Sequence, residues 1–265
     1  MKILYVAAEI SPFAKITNTA DLMRFLPASL QDKGFEIRIL LPKYGSINDR
    51  RNRLHEVIRL AGIEVEVGDQ VESMKIKVAS IPNAKLQVYF LDNDTYFKRK
   101  GLFHDAKTNE PFADNAERLV FYNKGVLETV KRLGWKPDVI HCHDWASGLI
   151  PMLVKTLYKD ESNFDGTKVV YNLHTPANHG VFDDDIFTFM KMGEDFDKES
   201  IKTDGKVDPI RAGLKYADFV VTGNDMRDEI ETQYADLNVK YEKIQGSPSD
   251  VSAKFADYYN RLKEE

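Results

Sequence analysis

A chain of 265 residues with a formal net charge of -5 and a sequence pI of ≈ 5.8 is long enough to bury a core as one large α/β domain or two small ones. So mild an acidity gives no electrostatic reason to expect nucleic acid or an anionic membrane as a partner. The single cysteine, Cys142, excludes an intramolecular disulfide and a multi-thiolate metal site and suits a reducing cytoplasm; no apolar run has bilayer-spanning length, and the N-terminal run, interrupted by Glu9 and Pro12, is too short for a signal peptide.

In chain order, residues 2–8 read as a strand whose unbroken apolar run, 3–8, is as expected of a parallel strand buried on both faces, and lead through a Pro-punctuated loop to Lys15. Residues 20–33 carry Leu22, Met23, Leu26 and Leu30 at helical spacing, with Gly34 as the stop. Residues 35–41 read as a second strand closed by Pro42. Strand-like runs at 63–67, 74–79 and 86–91 have no helix-length pattern between them, which predicts an antiparallel excursion on one sheet edge. A helix opens at Asn115, with Leu119, Tyr122, Val126 and Val130 on one side, and ends near Gly134 and Pro137. Then follow a strand at 138–143, a helix over about 145–158 and a strand at 168–173. Residues 183–206 are charged and weakly periodic, which predicts a lid-like insertion or a mobile loop. The remainder reads as a short helix, a strand at 219–222, a helix through Tyr234 and a last amphipathic helix from about Pro248. Alternation of this kind predicts an α/β fold, Rossmann-like with a mostly parallel central sheet. The charge-ended last helix reads as a plausible natural terminus.

Ligands of open α/β sheets bind beyond the carboxyl ends of the strands, and three clusters fall there. The first is Glu9-Ile10-Ser11-Pro12-Phe13-Ala14-Lys15. The second is Asp138-Val139-Ile140-His141-Cys142-His143-Asp144-Trp145, followed by Gly148 and Leu149. The third is Val169-Val170-Tyr171-Asn172-Leu173-His174, followed by Gly180-Val181-Phe182. An aspartate at a strand end can hydrogen-bond sugar hydroxyls, and an indole can stack on an apolar sugar face. Taken singly, Lys15 reads as a surface lysine and Trp145 as a core aromatic. Of His141 and His143, one is expected to face the core as a satisfied histidine. A zinc pair lacks a third ligand at recognisable spacing, so no metal is expected.

These clusters closely resemble the N-terminal half of the bacterial glycogen and plant starch synthases, retaining glycosyltransferases that add glucose from ADP-glucose to an α-1,4-glucan. Supporting matches are Tyr89-Phe90-Leu91-Asp92-Asn93 with Tyr96-Phe97, Arg99 and Gly101-Leu102; Asp114-Asn115-Ala116-Glu117-Arg118; and Tyr216-Ala217-Asp218-Phe219-Val220-Val221-Thr222. The resemblance covers about residues 1–235 of a single domain spanning 1–265, with 236–265 as a C-terminal helical extension. It implies the N-terminal Rossmann-like domain of a GT-B glycosyltransferase, with His174 and Asp144 in catalytic positions and Lys15, Asp21, Trp145 and His143 binding substrate. No cofactor is implied.

The departures bear on function. Where the family has Gly-Gly-Leu, the chain has Thr17, Asn18 and Thr19, and a threonine at positive φ would carry strain that glycine avoids. Thr175 replaces a family asparagine, and Gly223-Asn224-Asp225-Met226-Arg227 replaces another family motif. Nothing in the chain follows the pattern of the C-terminal domain that supplies an arginine, a lysine and a glutamate to the donor, and one domain leaves the cleft open to water. The first expectation is therefore an ADP-glucose-dependent glucosyltransferase domain not competent alone, binding α-glucan, with ADP-glucose weak or absent and a protein partner supplying a second domain. The alternatives are a non-catalytic relative that binds glucan or a regulatory partner, and an isolated domain of a longer protein.

Overall fold

The computed structural model describes all residues except 83, 85, 175–179, 224–225 and 265, and the Arg227 side chain is not described. Strand β1 (Lys2–Val6) leads through a long loop to helix α1 (Thr19–Asp32), and β2 (Glu36–Pro42) follows. The edge excursion comprises a helical turn α2 (Asp49–Asn52), β3 (His55–Glu56), β4 (Ile63–Val67), β5 (Gln70–Ser80), β6 (Gln87–Asp92) and a second short turn, α3 (Asp94–Phe97). Helix α4 (Asn115–Leu133), β7 (Val139–His143), α5 (Leu149–Lys155) and β8 (Lys168–Leu173) restore the alternation. Then come α6 (Asp185–Met190), a small hairpin of β9 (Lys202–Thr203) and β10 (Lys206–Val207), α7 (Pro209–Tyr216), β11 (Phe219–Thr222), α8 (Arg227–Gln233), β12 (Tyr241–Lys243) and α9 (Pro248–Glu264).

The main sheet runs β12-β11-β8-β7-β1-β2-β6-β5-β3, with β4 pairing β5. Every pairing from β12 to β6 is parallel, while β3, β4 and β6 pair antiparallel with β5, so the excursion forms the expected edge. The fold class is therefore the α/β architecture read from the sequence. Strand alternation distributes β1 between two cores. Leu4 and Val6 join the side packed by α4, α5, α6 and α7, whereas Ile3, Tyr5 and Ala7 join the side covered by α1 and α9. Gly134 ends α4 at φ 58, a left-handed conformation that glycine adopts without a Cβ penalty.

Three local expectations need correction. The helix expected over 145–158 is broken into a single turn at Trp145–Ser147 and then α5. The break falls at Gly148, where a Cβ would stand 2.1 Å from the Pro209 carbonyl oxygen, so two backbones meet where a continuous side-chain-bearing helix could not fit. Residues 183–206 are a packed excursion rather than a mobile loop: Ile186, Phe187, Met190 and Ile201 are buried, and α6 rests on α4. The segment 236–265 is not wholly helical, because Tyr241–Lys243 adds a parallel strand beside β11. A three-residue strand with charged Glu242 and Lys243 presents no apolar run to read.

Candidate functional site

The carboxyl ends of β1 and β7 and the loop after α3 enclose a cavity of about 700 Å3, lined among others by Glu9, Thr17, Phe103, His143, Asp144 and Trp145. A neighbouring hollow of about 370 Å3 shares Phe103, His104 and Trp145 and extends to Phe112 and Phe182. Trp145 is half-buried between Phe103, ring centroids 4.4 Å apart, and Phe182 at 6.5 Å, forming an aromatic wall between the two spaces. Arg118 shapes that wall from below. Its buried guanidinium donates to the carbonyls of Tyr96 at 2.7 Å and Leu102 at 2.5 Å and to Asn115 Oδ1 at 2.7 Å, fixing the loop that carries Phe103.

Asp144 has φ 57 and ψ -178, a region that costs a side-chain-bearing residue of order 1–3 kcal/mol. Neighbours hold it there. Its amide donates to the Asn172 carbonyl, its carbonyl accepts from the Ser147 hydroxyl, and its carboxylate accepts the His174 amide at 2.7 Å and the Thr19 hydroxyl at 3.0 Å. The conformation aims an acidic side chain beyond the strand end, beside Trp145.

His174 is half-buried at the end of β8, with Nε2 3.0 Å from Nδ1 of His143 and the two rings nearly parallel. Dry surroundings lower the His174 pKa, opposed by the charges of Asp144 and Glu9. His143 and His141 are held well below the ordinary imidazole value, first by burial and then by neighbouring imidazoles, so both are neutral near pH 7. Both face the same core, with ring centroids 4.2 Å apart. The expectation that only one faces inward is thus corrected: residues two apart on a strand share a face.

Lys15 and Asp21 lie in the loop before α1 and at its first turn. They pair with each other at 2.5 Å, both more than half exposed, and Asp21 also accepts the Ser11 hydroxyl at 2.6 Å. The lysine and the serine lower the Asp21 pKa. Neither Lys15 nor Asp21 lines the cavity, whereas Asp144, Trp145 and His143 do; His174 contacts that set through Asp144 and His143.

The loop itself is organised by Glu9, a residue the sequence offers only as an interruption of the apolar run. Its buried carboxylate accepts the amides of Ile16 at 2.5 Å and Thr17 at 2.8 Å and the Thr17 hydroxyl at 2.5 Å. Asn18 is helical at φ -70 and Thr17 is not among the positive-φ residues, so the strain expected from losing glycine does not arise. Thr17 instead uses its side chain, accepting at 3.1 Å the amide of Thr19, the first residue of α1. The signal that could have found Glu9 is its place as the first charged residue after a buried strand. Phe103, His104 and Asn109 sit in an aperiodic loop and gave no such signal. Thr175, Asn224 and Asp225 lie outside the described residues. Among the described residues no cluster of three or more His, Cys, Asp or Glu could hold a metal ion, and no helix is long and apolar enough to cross a membrane.

The model of the starch synthase catalytic domain family matches residues 2–241. The chain is 44% identical to a glycogen synthase of Chlorobium limicola over 83% of its own length and 45% of the relative's. It is 45% identical to a glycogen synthase of Chlorobaculum tepidum over 84% of its own length and 46% of that relative's. The chain therefore spans about half the length of the curated relatives it matches. Among solved structures it is similar to the catalytic domain of starch synthase IV from Arabidopsis thaliana bound to ADP and acarbose, with a TM-score of 0.78 at 20% identity over 92% of this chain and 51% of that one. At that identity the likeness speaks to fold alone.

Proposed function

The chain belongs to the starch synthase catalytic domain family, and we propose that it is a single acceptor-side domain that binds α-glucan, binds ADP-glucose weakly or not at all, and does not transfer glucose alone. One observation carries this reading: the cavity at the strand ends is lined by aromatic rings, carboxylates and hydroxyls, with neither lysine nor arginine among its described lining residues. Such a lining suits a neutral polyhydroxylated chain. Rings such as Trp145 and Phe103 stack on sugar faces, and Asp144 accepts their hydroxyls. It suits a nucleoside diphosphate poorly, since phosphates need concentrated positive charge or open backbone amides. The amides of Ile16 and Thr17, well placed for an anion, are already taken by Glu9.

In this reading Asp144 orients the sugar, Trp145 stacks on it, and neutral His174 exchanges hydrogen bonds with the glucose to be transferred while His143 supports its ring. Lys15 and Asp21 serve at the rim, where opening of their ion pair would expose one charge of each sign to substrate. Departure of the diphosphate needs charge stabilisation that these residues do not provide and that a second domain would supply. The single buried thiol, Cys142, supports a cytoplasmic setting.

A radiolabelled transfer assay with ADP-glucose and glycogen, run beside calorimetry with a maltooligosaccharide, tests the reading. We expect glucan binding weakened at least tenfold by Trp145→Ala, ADP-glucose binding near the detection limit and no transfer. Robust turnover by the wild-type chain, abolished by His174→Ala, would establish an autonomous enzyme. Absence of glucan binding would favour a regulatory relative acting through a protein partner.

A further inference from the structure

The sheet face beneath α9 carries a set of polar rings that packing alone does not require. Tyr5 is level with His141 across the β1–β7 pairing, and His143 lies two residues further along the same strand. All three are buried, and α9 closes over His141 with Phe255, centroids 5.4 Å apart, and with Tyr259. Buried hydroxyls and imidazoles need partners, and a donor left without an acceptor carries its full desolvation penalty.

The Tyr259 hydroxyl lies 2.7 Å from the Tyr5 hydroxyl and also meets His141 Nδ1. Among these three groups, only one arrangement gives both hydroxyl hydrogens an acceptor. Tyr5 donates to Tyr259, and Tyr259 donates to His141 Nδ1. The His141 proton then sits on Nε2, which like Nε2 of His143 has no hydrogen-bond partner among the described residues. The reverse sense, from His141 Nδ1 to Tyr259 to Tyr5, leaves the Tyr5 hydrogen unpaired among these groups instead, and in both senses the Tyr259 hydroxyl holds His141 Nδ1. Rotation of His141 is thus restrained on one side by Tyr259 and otherwise by packing, and His143 rests against it at 4.2 Å. His143 in turn holds His174 Nε2. Contact is therefore continuous from α9 to an imidazole at the cleft. Helix α9 lies beyond residue 241, where the family match ends.

We propose that Tyr259 is a positioning residue for His174, its hydroxyl holding the His141 ring against which His143 packs, and so fixing the placement of the His143 ring that hydrogen-bonds His174 at the cleft. The importance of that ring placement rests on the role given to His174 above; the linkage itself does not depend on transfer or on glucan binding. The C-terminal helix thereby tunes the site as well as covering the sheet.

The test is imidazole 15N spectroscopy of the full chain, which reads tautomer and ring environment for each histidine without substrate. Tyr259→Phe removes the hydroxyl and keeps the ring that fills the core, and its His174 nitrogen resonances should shift as the His143–His174 hydrogen bond changes geometry. Ser252→Ala removes the 2.6 Å bond from α9 to Ser29 of α1 without touching a histidine, and should leave His174 unchanged. Equal shifts in both variants would make Tyr259 a structural contact only, and no shift in Tyr259→Phe would overturn the linkage. Should Tyr259→Phe fail to fold, Tyr5→Phe removes the first donor of the series and should move the same His174 nitrogens by a smaller amount; an unchanged spectrum there overturns the proposal equally. Because glucan affinity is measured separately, loss of the functional reading and loss of this linkage are distinguishable.

Discussion

The loop after β1 and the turn after β7 each bring a carboxylate to the same cavity, yet they do so by opposite means. Glu9 has ordinary backbone and directs both oxygens to its own loop, holding Ile16 and Thr17. Asp144 sits in a disfavoured left-handed conformation and accepts from two other elements, His174 at the end of β8 and Thr19 at the start of α1. The first arrangement stabilises a loop. The second tolerates local strain to place a side chain, and strain of that kind concentrates at functional sites because the surrounding structure must over-determine it. That contrast makes Asp144 a better candidate for meeting substrate than Glu9, although both line the cavity.

The rigid scaffold behind this second arrangement should be the more costly to disturb. Phe255 on α9 is 1% exposed and packs on His141 and Tyr259, so Phe255→Ala should destabilise the chain by about 3–5 kcal/mol in urea unfolding. A loss below about 1 kcal/mol would mean that α9 is not integral to the core. The same region should respond to acid. Burial keeps the folded-state pKa values of His141 and His143 well below 6.5, and that of His174 below it, so below 6.5 the unfolded chain takes up protons that the folded chain refuses. Stability should therefore be full above pH 6.5 and fall as the pH drops toward 5.5, each histidine contributing a slope of up to about 1.4 kcal/mol per pH unit. Melting temperatures flat over that interval would show that these imidazoles are not buried neutral.

Strain at Asp144 gives a smaller and more pointed test. Asp144→Ala and Asp144→Gly both remove the carboxylate, but only alanine keeps a Cβ at φ 57. Relief of strain exceeds the greater chain entropy of glycine in the unfolded state. The glycine variant should be the more stable of the two by about 1 kcal/mol, and equal stabilities would remove the argument from strain.

Much of this was legible in the residues and some was not, for physical reasons. Strands buried on both faces, such as Lys168–Leu173 and Phe219–Thr222, appear as apolar runs, and their observed bounds match the expected ones. Asp144 and Trp145 were legible as the first polar and aromatic residues after such a run. Glu9 was equally placed, but a carboxylate satisfied by backbone amides of its own loop leaves no periodic trace. The inward pair His141 and His143 follows from strand geometry, whereas their partner Tyr259 is 118 residues from His141 in sequence, and no local pattern encodes so distant a contact. Phe103 and His104 reach the cavity on a loop held by Arg118 and Asn115 of α4, which is likewise a tertiary fact.

The smallest effect is expected where the sequence pointed most directly. Lys15 and Asp21 form a short ion pair, but both side chains are more than half exposed, and exposed pairs lose in desolvation and side-chain freedom most of what they gain in attraction. Lys15→Ala should therefore shift the melting temperature by no more than about 2 °C. It should raise the Asp21 pKa, because the lysine is the first cause of its depression and the Ser11 hydroxyl remains as the second. Carboxyl 13C titration of Asp21 reads this directly. An unchanged Asp21 titration would mean that the pair is open in solution, leaving Lys15 free of Asp21. A large loss of stability would instead make this loop as rigid as the β7 turn, and the difference between the two carboxylate-bearing segments would no longer separate a structural residue from one that meets substrate.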